Sequence, residues 1–191
     1  MKIILASKSP RRKELLDLLK IEYEIKVSNA EETLEKGLTP EEQAKKLAYI
    51  KAKTVFDETE GNRIIIGSDT MVVKDRKIYG KPKDEADALK ILKELNGKKH
   101  EVITGLAILV EENNQYKEYV TYDKTEVTIK NMSEQEIKTW IATGEAADKA
   151  GAYAIQGEFS VFIEKMNGNY STVVGLPIHK VYDILKEIGI K

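Results

Sequence analysis

Apolar positions along the chain fall into two kinds of run, short unbroken stretches suited to buried strands and stripes at helical spacing, and the two kinds alternate. Ile3 to Ala6 predicts a strand that runs straight into Ser7-Lys8-Ser9-Pro10-Arg11-Arg12. There Ser9 reads as an N-cap and Pro10 as the first helical residue, with Leu15, Leu16, Leu18 and Leu19 giving the helix its apolar face. Thr39 and Glu42 have capping-box spacing, so a second helix begins there and turns Ala44, Leu47, Ala48 and Ala52 inward, with Lys51 near its end. Ile64-Ile65-Ile66 predicts a central strand, and Gly67-Ser68-Asp69-Thr70 is expected at its carboxyl end, ahead of Met71-Val72-Val73.

Further along, a helix from about Asp84 carries Ala88, Leu89, Ile91, Leu92 and Leu95 and stops at Asn96-Gly97. Val102 to Val110 and Tyr116 to Ile129 read as a long antiparallel hairpin. Ser133 and Glu136 make another capping box for a helix ending near Gly144. Asp148 to Gly157 is a small-residue segment, a strand is expected from about Ser160 to Lys165, and Pro177-Ile178 leads a last helix bearing Val181, Ile184, Leu185 and Ile188. Alternating strands and helices with one hairpin predict an α/β fold built on a mixed sheet. No Gly/Ser/Pro linker, repeat or low-complexity tract interrupts residues 1–191, which are expected to form a single domain.

Composition sharpens this picture mainly by exclusion. The 33% charged content balances to a net charge of −1, which argues against bulk binding to nucleic acid or an anionic membrane, since counterion release needs a clustered positive excess. No apolar run is long enough to span a bilayer and no signal-peptide pattern is present, so a cytoplasmic location is expected. With no Cys and two His, thiol nucleophiles, thiolate zinc sites and multi-histidine sites fall away, and any metal is expected to be a hard, oxygen-bound one. A P-loop, a Gly-x-Gly-x-x-Gly turn and a Gly-x-Ser-x-Gly elbow are all missing, which removes the main sequence support for a P-loop NTPase, a Rossmann dehydrogenase and a serine hydrolase.

Two places carry candidate chemistry. The turn at Ser9, Arg11 and Arg12 puts two guanidiniums at a helix N-terminus, where unpaired N–H groups already favour an anion. Positive side chains there oppose the helix dipole, which a phosphate ligand would account for, while the alternative that Ser9-Pro10 only caps the helix and the arginines are solvated stays open. Asp69, expected at a strand end, suits a hard cation or a proton acceptor for water, although an ordinary turn role is the commoner use of such a residue. Lys81, fixed between Gly80 and Pro82, divides between a phosphate partner and a solvated surface charge, and Glu31 and Glu32 divide between a metal site and an acidic loop.

These residues, taken in order, resemble the Maf family. Leu5-Ala6-Ser7-Lys8-Ser9-Pro10-Arg11-Arg12 is similar to its Ser-x-Ser-x-Arg-Arg opening. Glu31-Glu32-Thr33 resembles its Asp-Glu-Thr element, and Gly67-Ser68-Asp69-Thr70 its Gly-Ala-Asp-Thr. Gly80-Lys81-Pro82, then His100, Val102, Thr104 and Gly105, then Asp148 through Gly157 and Val173-Val174-Gly175-Leu176-Pro177 follow in register to the C-terminus. Small departures are Glu31 for Asp, Ser68 for Ala, Trp140 for Tyr, Ala146 for Pro and Thr172 for Asn.

The resemblance implies an ITPase-like α/β fold, an elongated mixed sheet flanked by helices with a cleft between two lobes, a homodimer, and a nucleoside triphosphate pyrophosphatase dependent on Mg²⁺ or Mn²⁺. It implies that Ser9, Arg11, Arg12, Lys51, Thr70 and Lys81 contact the nucleotide, that Glu32 and Asp69 hold the cation, and that Asp69 is the general base. Gln156, in Ala-Tyr-Ala-Ile-Gln-Gly, resembles the subgroup acting on dTTP and UTP. Two alternatives remain open at this level: a nucleotide-binding regulator of septum formation without essential turnover, and a house-cleaning pyrophosphatase for inosine or xanthosine triphosphate.

Overall fold

Strand β1 (Lys2–Leu5) pairs in parallel with both the two-residue β2 (Glu24–Ile25) and β3 (Arg63–Lys74) in the computed structural model, which describes residues 1–191. Strand β4 (Lys77–Tyr79) returns antiparallel on β3, while β5 (Lys99–Glu112) and β6 (Gln115–Ile129) form the expected hairpin. Its two-residue turn is Asn113-Asn114, both with positive φ, the conformation that matches the twist of paired strands. Strand β7 (Ile163–Asn167) pairs antiparallel with β6, and the sheet order is β2-β1-β3-β5-β6-β7 with β4 on β3. The mixed sheet predicted from the sequence is therefore present.

The helices are α1 (Pro10–Asp17), α2 (Pro40–Asp57), α3 (Glu85–Leu95), α4 (Glu134–Ala142), the short α5 (Tyr170–Val174) and α6 (Ile178–Glu187). Both predicted capping boxes are made: Thr39 with Glu42 opens α2, and Ser133 with Glu136 opens α4. Asp84 caps α3 through the Asp87 N–H.

Four local expectations are corrected. Helix α1 ends at Asp17, so Leu15 and Leu16 are buried but Leu18 is 67% exposed. Helix α2 continues to Asp57, which puts Lys51 within it rather than near its end. Strand β3 runs unbroken through Gly67-Ser68-Asp69-Thr70, so Asp69 is a mid-strand residue. Residues Gly157–Phe162 coil into 3₁₀ turns, and β7 starts only at Ile163.

The chain divides into two compact units, one of Met1–Asp69, Thr104–Asp123 and Gly175–Lys191, the other of Thr70–Ile103 and Lys124–Val174. In the first, the alanine stripe of α2 lies on the sheet, and Ala48, Ala52 and Val55 pack with Ile4, Ala6, Ile65, Ala107 and Leu109. The approach is close enough to require glycine beneath it. A Cβ on Gly67 would fall 2.5 Å from the Ala48 carbonyl oxygen, and one on Gly105 would fall 2.0 Å from that of Ala44. In the second unit, α3 and α4 enclose a core of Leu92, Leu95, Val127, Trp140, Tyr153 and Phe159 among others.

Candidate active site

The inward stripe of α2 explains how a lysine comes to be buried. Lys51 sits among Ala44, Ala48, Ala52 and Val55, all on the face turned to the sheet, and its stem crosses apolar surface to bring the ammonium onto β3. There Nζ lies 2.5 Å from Asp69 Oδ1 and 2.9 Å from Glu32 Oε1. Asp69 is 7% and Lys51 8% exposed, whereas Glu32 approaches from an exposed loop. A mid-strand carboxylate at that depth is tolerable only with such a partner, because an unpaired buried charge is strongly unfavourable.

The turn before α1 is organised by Ser7. Its Oγ accepts from the Ser9 N–H at 3.2 Å and from Arg12 Nη1 at 3.3 Å, while Arg12 Nε donates to the Gly175 carbonyl at 2.7 Å. Ser9 occupies the N-cap position as predicted, but its hydroxyl makes no capping bond to the helix. Arg12 is thus held in place rather than solvated. Burial lowers its pKa from the ordinary arginine value, the charges of Asp69 and Glu32 oppose that shift, and Arg11 adds to it. Guanidinium remains charged through such a shift, so Arg12, Arg11, Lys51, Asp69 and Glu32 form one electrostatically connected group within the first unit.

Ser68, fully buried beside Asp69, donates or shares its hydroxyl at 2.9 Å with both the Gly105 and Gly175 carbonyls. The Gly175 oxygen is therefore the common acceptor for Ser68 and Arg12, tying β3 and the α1 turn to the segment before α6.

A family model described as Maf-like protein matches residues 2–188. A dTTP/UTP pyrophosphatase of Bacillus mycoides is 46% identical over 97% of this chain and 95% of its own length, and one of Thermoanaerobacter sp. is 46% identical over 97% and 96%. The chain belongs to the Maf family. Among solved structures, a HAM1 protein from Coxiella burnetii is 16% identical with a TM-score of 0.49, covering 98% of this chain and 99% of that one. Membership of the Maf family rests on the sequence matches.

Of the residues that the Maf motifs single out, Ser9, Arg11, Arg12, Glu32, Lys51 and Asp69 fall in the first unit, and Thr70, Lys81 and Gln156 in the second. Thr70 follows Asp69 directly along β3 and is half-buried. Lys81 is exposed, in the turn between β4 and α3, whose Gly80 carbonyl accepts from the Gly151 N–H at 3.0 Å. Gln156 is half-buried and its side chain does not cap the 3₁₀ turn that follows.

Sequence reasoning misses the part played by Ser7, Ser68 and the Gly175 carbonyl. Ser7 and Gly175 lie inside the Maf motifs, but a carbonyl acceptor leaves no side-chain signal. Ser68, where the family more often has alanine, does leave one: a hydroxyl inside an apolar strand requires acceptors.

The donor set also bears on a cation. Glu32 and Asp69 both pair with the Lys51 ammonium and both act on the Arg12 charge, and no cluster of three or more Asp, Glu, His or Cys side chains is suited to a metal anywhere in the chain. Two carboxylates are few for an all-protein cage. They fit a hard ion that completes its shell with water and phosphate oxygens.

Proposed function

We propose that this chain is a nucleoside triphosphate pyrophosphatase acting on dTTP and UTP, releasing pyrophosphate and the nucleoside monophosphate. The observation that carries the reading is the group of a buried Asp69, Glu32, Lys51 and Arg12, in which two carboxylates and two cations are held together at the edge of the α1 turn. The activity for which the 46% identical relatives are named supports the substrate. The reading includes a homodimer in the cytoplasm, with no nucleic acid or membrane partner; no helix is long and apolar enough to cross a membrane.

Attack by water at the α-phosphorus forms one P–O bond, breaks the bond to the bridging oxygen and leaves pyrophosphate, so negative charge builds on the phosphoryl oxygens and on the leaving group. Preplaced cations stabilise that charge without reorganising. Arg12 and Lys81 serve the phosphates, with Ser9, Arg11, Lys51 and the α1 terminus beside them. Asp69 accepts the proton of the attacking water. Glu32 and Asp69 would hold a Mg²⁺ or Mn²⁺ ion, which when bound neutralises phosphate charge.

Thr70 and Gln156 face the nucleoside in this reading, and Arg11 serves either the phosphates or the same nucleoside pocket. A primary amide has one donor and one acceptor, the complement of O4 and N3–H of thymine or uracil, and cytosine reverses that pattern. The test is a panel of dTTP, UTP, CTP, ATP, GTP and inosine and xanthosine triphosphates with Mg²⁺, following pyrophosphate and orthophosphate separately. Pyrophosphate from dTTP and UTP well ahead of the others is expected. Orthophosphate as the first product, no turnover, or faster reaction with inosine or xanthosine triphosphate would each refute the assignment.

A further inference from the structure

The segment that leads to Gln156 is held with more care than a surface loop needs. Gly151 and Ala152 both have positive φ, +71° and +60°, and a left-handed backbone is uncommon for a residue with a Cβ. Three hydrogen bonds hold that conformation. The Gly151 N–H donates to the Gly80 carbonyl at 3.0 Å, Trp140 Nε1 donates to the Ala152 carbonyl at 2.8 Å, and the Tyr153 hydroxyl is 2.7 Å from His100 Nε2.

The last of these is the unusual one. His100 on β5 is 2% exposed and Tyr153 is 5% exposed, with the two rings edge to face at 5.3 Å and the Phe159 ring tilted at 5.3 Å from that of Tyr153. An apolar pair of similar size would fill this space without burying polar atoms, and such replacements are often neutral or stabilising. What the polar pair adds is direction: the hydroxyl has its partner at only one place, which fixes the rotation of Tyr153 and the backbone that bears it. Burial pushes His100 down to about 4, keeping the ring neutral in ordinary buffers, so that Nε2 can accept from the phenol. Three residues beyond Tyr153 the chain emerges at the half-buried Gln156.

We infer that Tyr153, through its hydrogen bond to His100, is a positioning residue for Gln156 and thereby sets the discrimination between thymine or uracil and cytosine nucleotides. This rests on the reading that Gln156 meets the base. Tyr153 itself lies inside the core of the second unit, 5% exposed.

The test measures kcat and KM for dTTP and CTP in Tyr153→Phe, which removes one oxygen, and in His100→Leu, which removes the same hydrogen bond from the other side. Both are expected to lower the dTTP-to-CTP ratio of kcat/KM by about fivefold, the factor that one hydrogen bond of ordinary net strength supplies. The change should reside in KM for dTTP, with kcat held, whereas a merely structural defect lowers the active fraction for both nucleotides alike and leaves the ratio intact. In a Gln156→Ala background, Tyr153→Phe should have no further effect on the ratio. If Gln156→Ala collapses the ratio and the Tyr153 and His100 variants keep it, the positioning role is wrong and the base-reading role stands. A ratio unmoved by Gln156→Ala overturns both.

Discussion

The Lys51 ammonium stands 2.5 Å from Asp69 Oδ1, and both side chains are withdrawn from water. Glu32 shares the same ammonium at 2.9 Å, so in the chain by itself a lysine occupies the place where two carboxylates meet. A free divalent cation has to compete with that built-in charge. Lys51→Met is expected to lose roughly 3 kcal/mol of stability by removing the ammonium that pairs directly with Asp69. It should then gain more in melting temperature from Mn²⁺ without nucleotide than the wild type does, because the cation restores the missing charge. Equal Mn²⁺ shifts in the two proteins would show that Lys51 does not guard these carboxylates.

Asp69→Asn keeps the size of the side chain and removes its charge and basicity. Turnover is expected to fall by at least about 100-fold, the contribution of a positioned general base. The fold and much of the nucleotide affinity should survive, because Lys51 can still donate to the amide oxygen. Pyrophosphate release near the wild-type rate would take Asp69 out of the mechanism.

Arg12 and Lys81 separate a residue with two jobs from one with a single job. Either replacement by Ala should cost roughly 2–4 kcal/mol of transition-state stabilisation, the worth of one preorganised charged donor. Arg12 also bonds the Gly175 carbonyl and Ser7 Oγ, so Arg12→Ala should lower the melting temperature as well. Lys81 is exposed, and Lys81→Ala should leave the melt unchanged. A less than tenfold effect of Lys81→Ala on kcat/KM would remove Lys81 from the phosphates.

What the sequence reveals depends on how local the cause is. The helix starts at Ser9, Thr39, Asp84 and Ser133 are legible because a helix start is decided within four residues. The position of Asp69 is not. Gly67-Ser68-Asp69-Thr70 reads as the end of the strand, yet here glycine is required by the passage of α2 across β3, a contact that no local pattern announces. The 3₁₀ turns at Gly157–Phe162 read partly as strand for a similar reason: Phe159 and Phe162 anchor in a core of aromatic side chains contributed by distant segments. For the site, motif resemblance names the charged residues, but the convergence of Lys51 on two acids needs the helix face and the strand together.

The burial of His100 predicts a stability change in a pH range where few other groups act. Its pKa falls from 6.5 to about 4, with desolvation the largest cause, the Lys98 backbone opposing it and the Lys74 charge assisting. A histidine depressed in the folded state contributes stability that is complete above its unfolded value and is lost as pH drops, because the unfolded chain binds the proton first. Between pH 6.5 and 4 the folded protein should therefore lose roughly 3 kcal/mol through this group, at about 1.4 kcal/mol for each pH unit crossed. The carboxylates held low by ion pairs, such as Glu134 at about 2 between Lys138 and Lys93, weaken the fold only at still lower pH. Urea unfolding of the wild type and of His100→Gln at pH 7.5, 5.5 and 4.5 isolates the effect, since glutamine retains a polar partner for Tyr153 but does not titrate. The stability difference between the two proteins should shift steadily in favour of the variant as pH falls, and a difference constant across the three conditions would show that His100 is not held neutral by its surroundings.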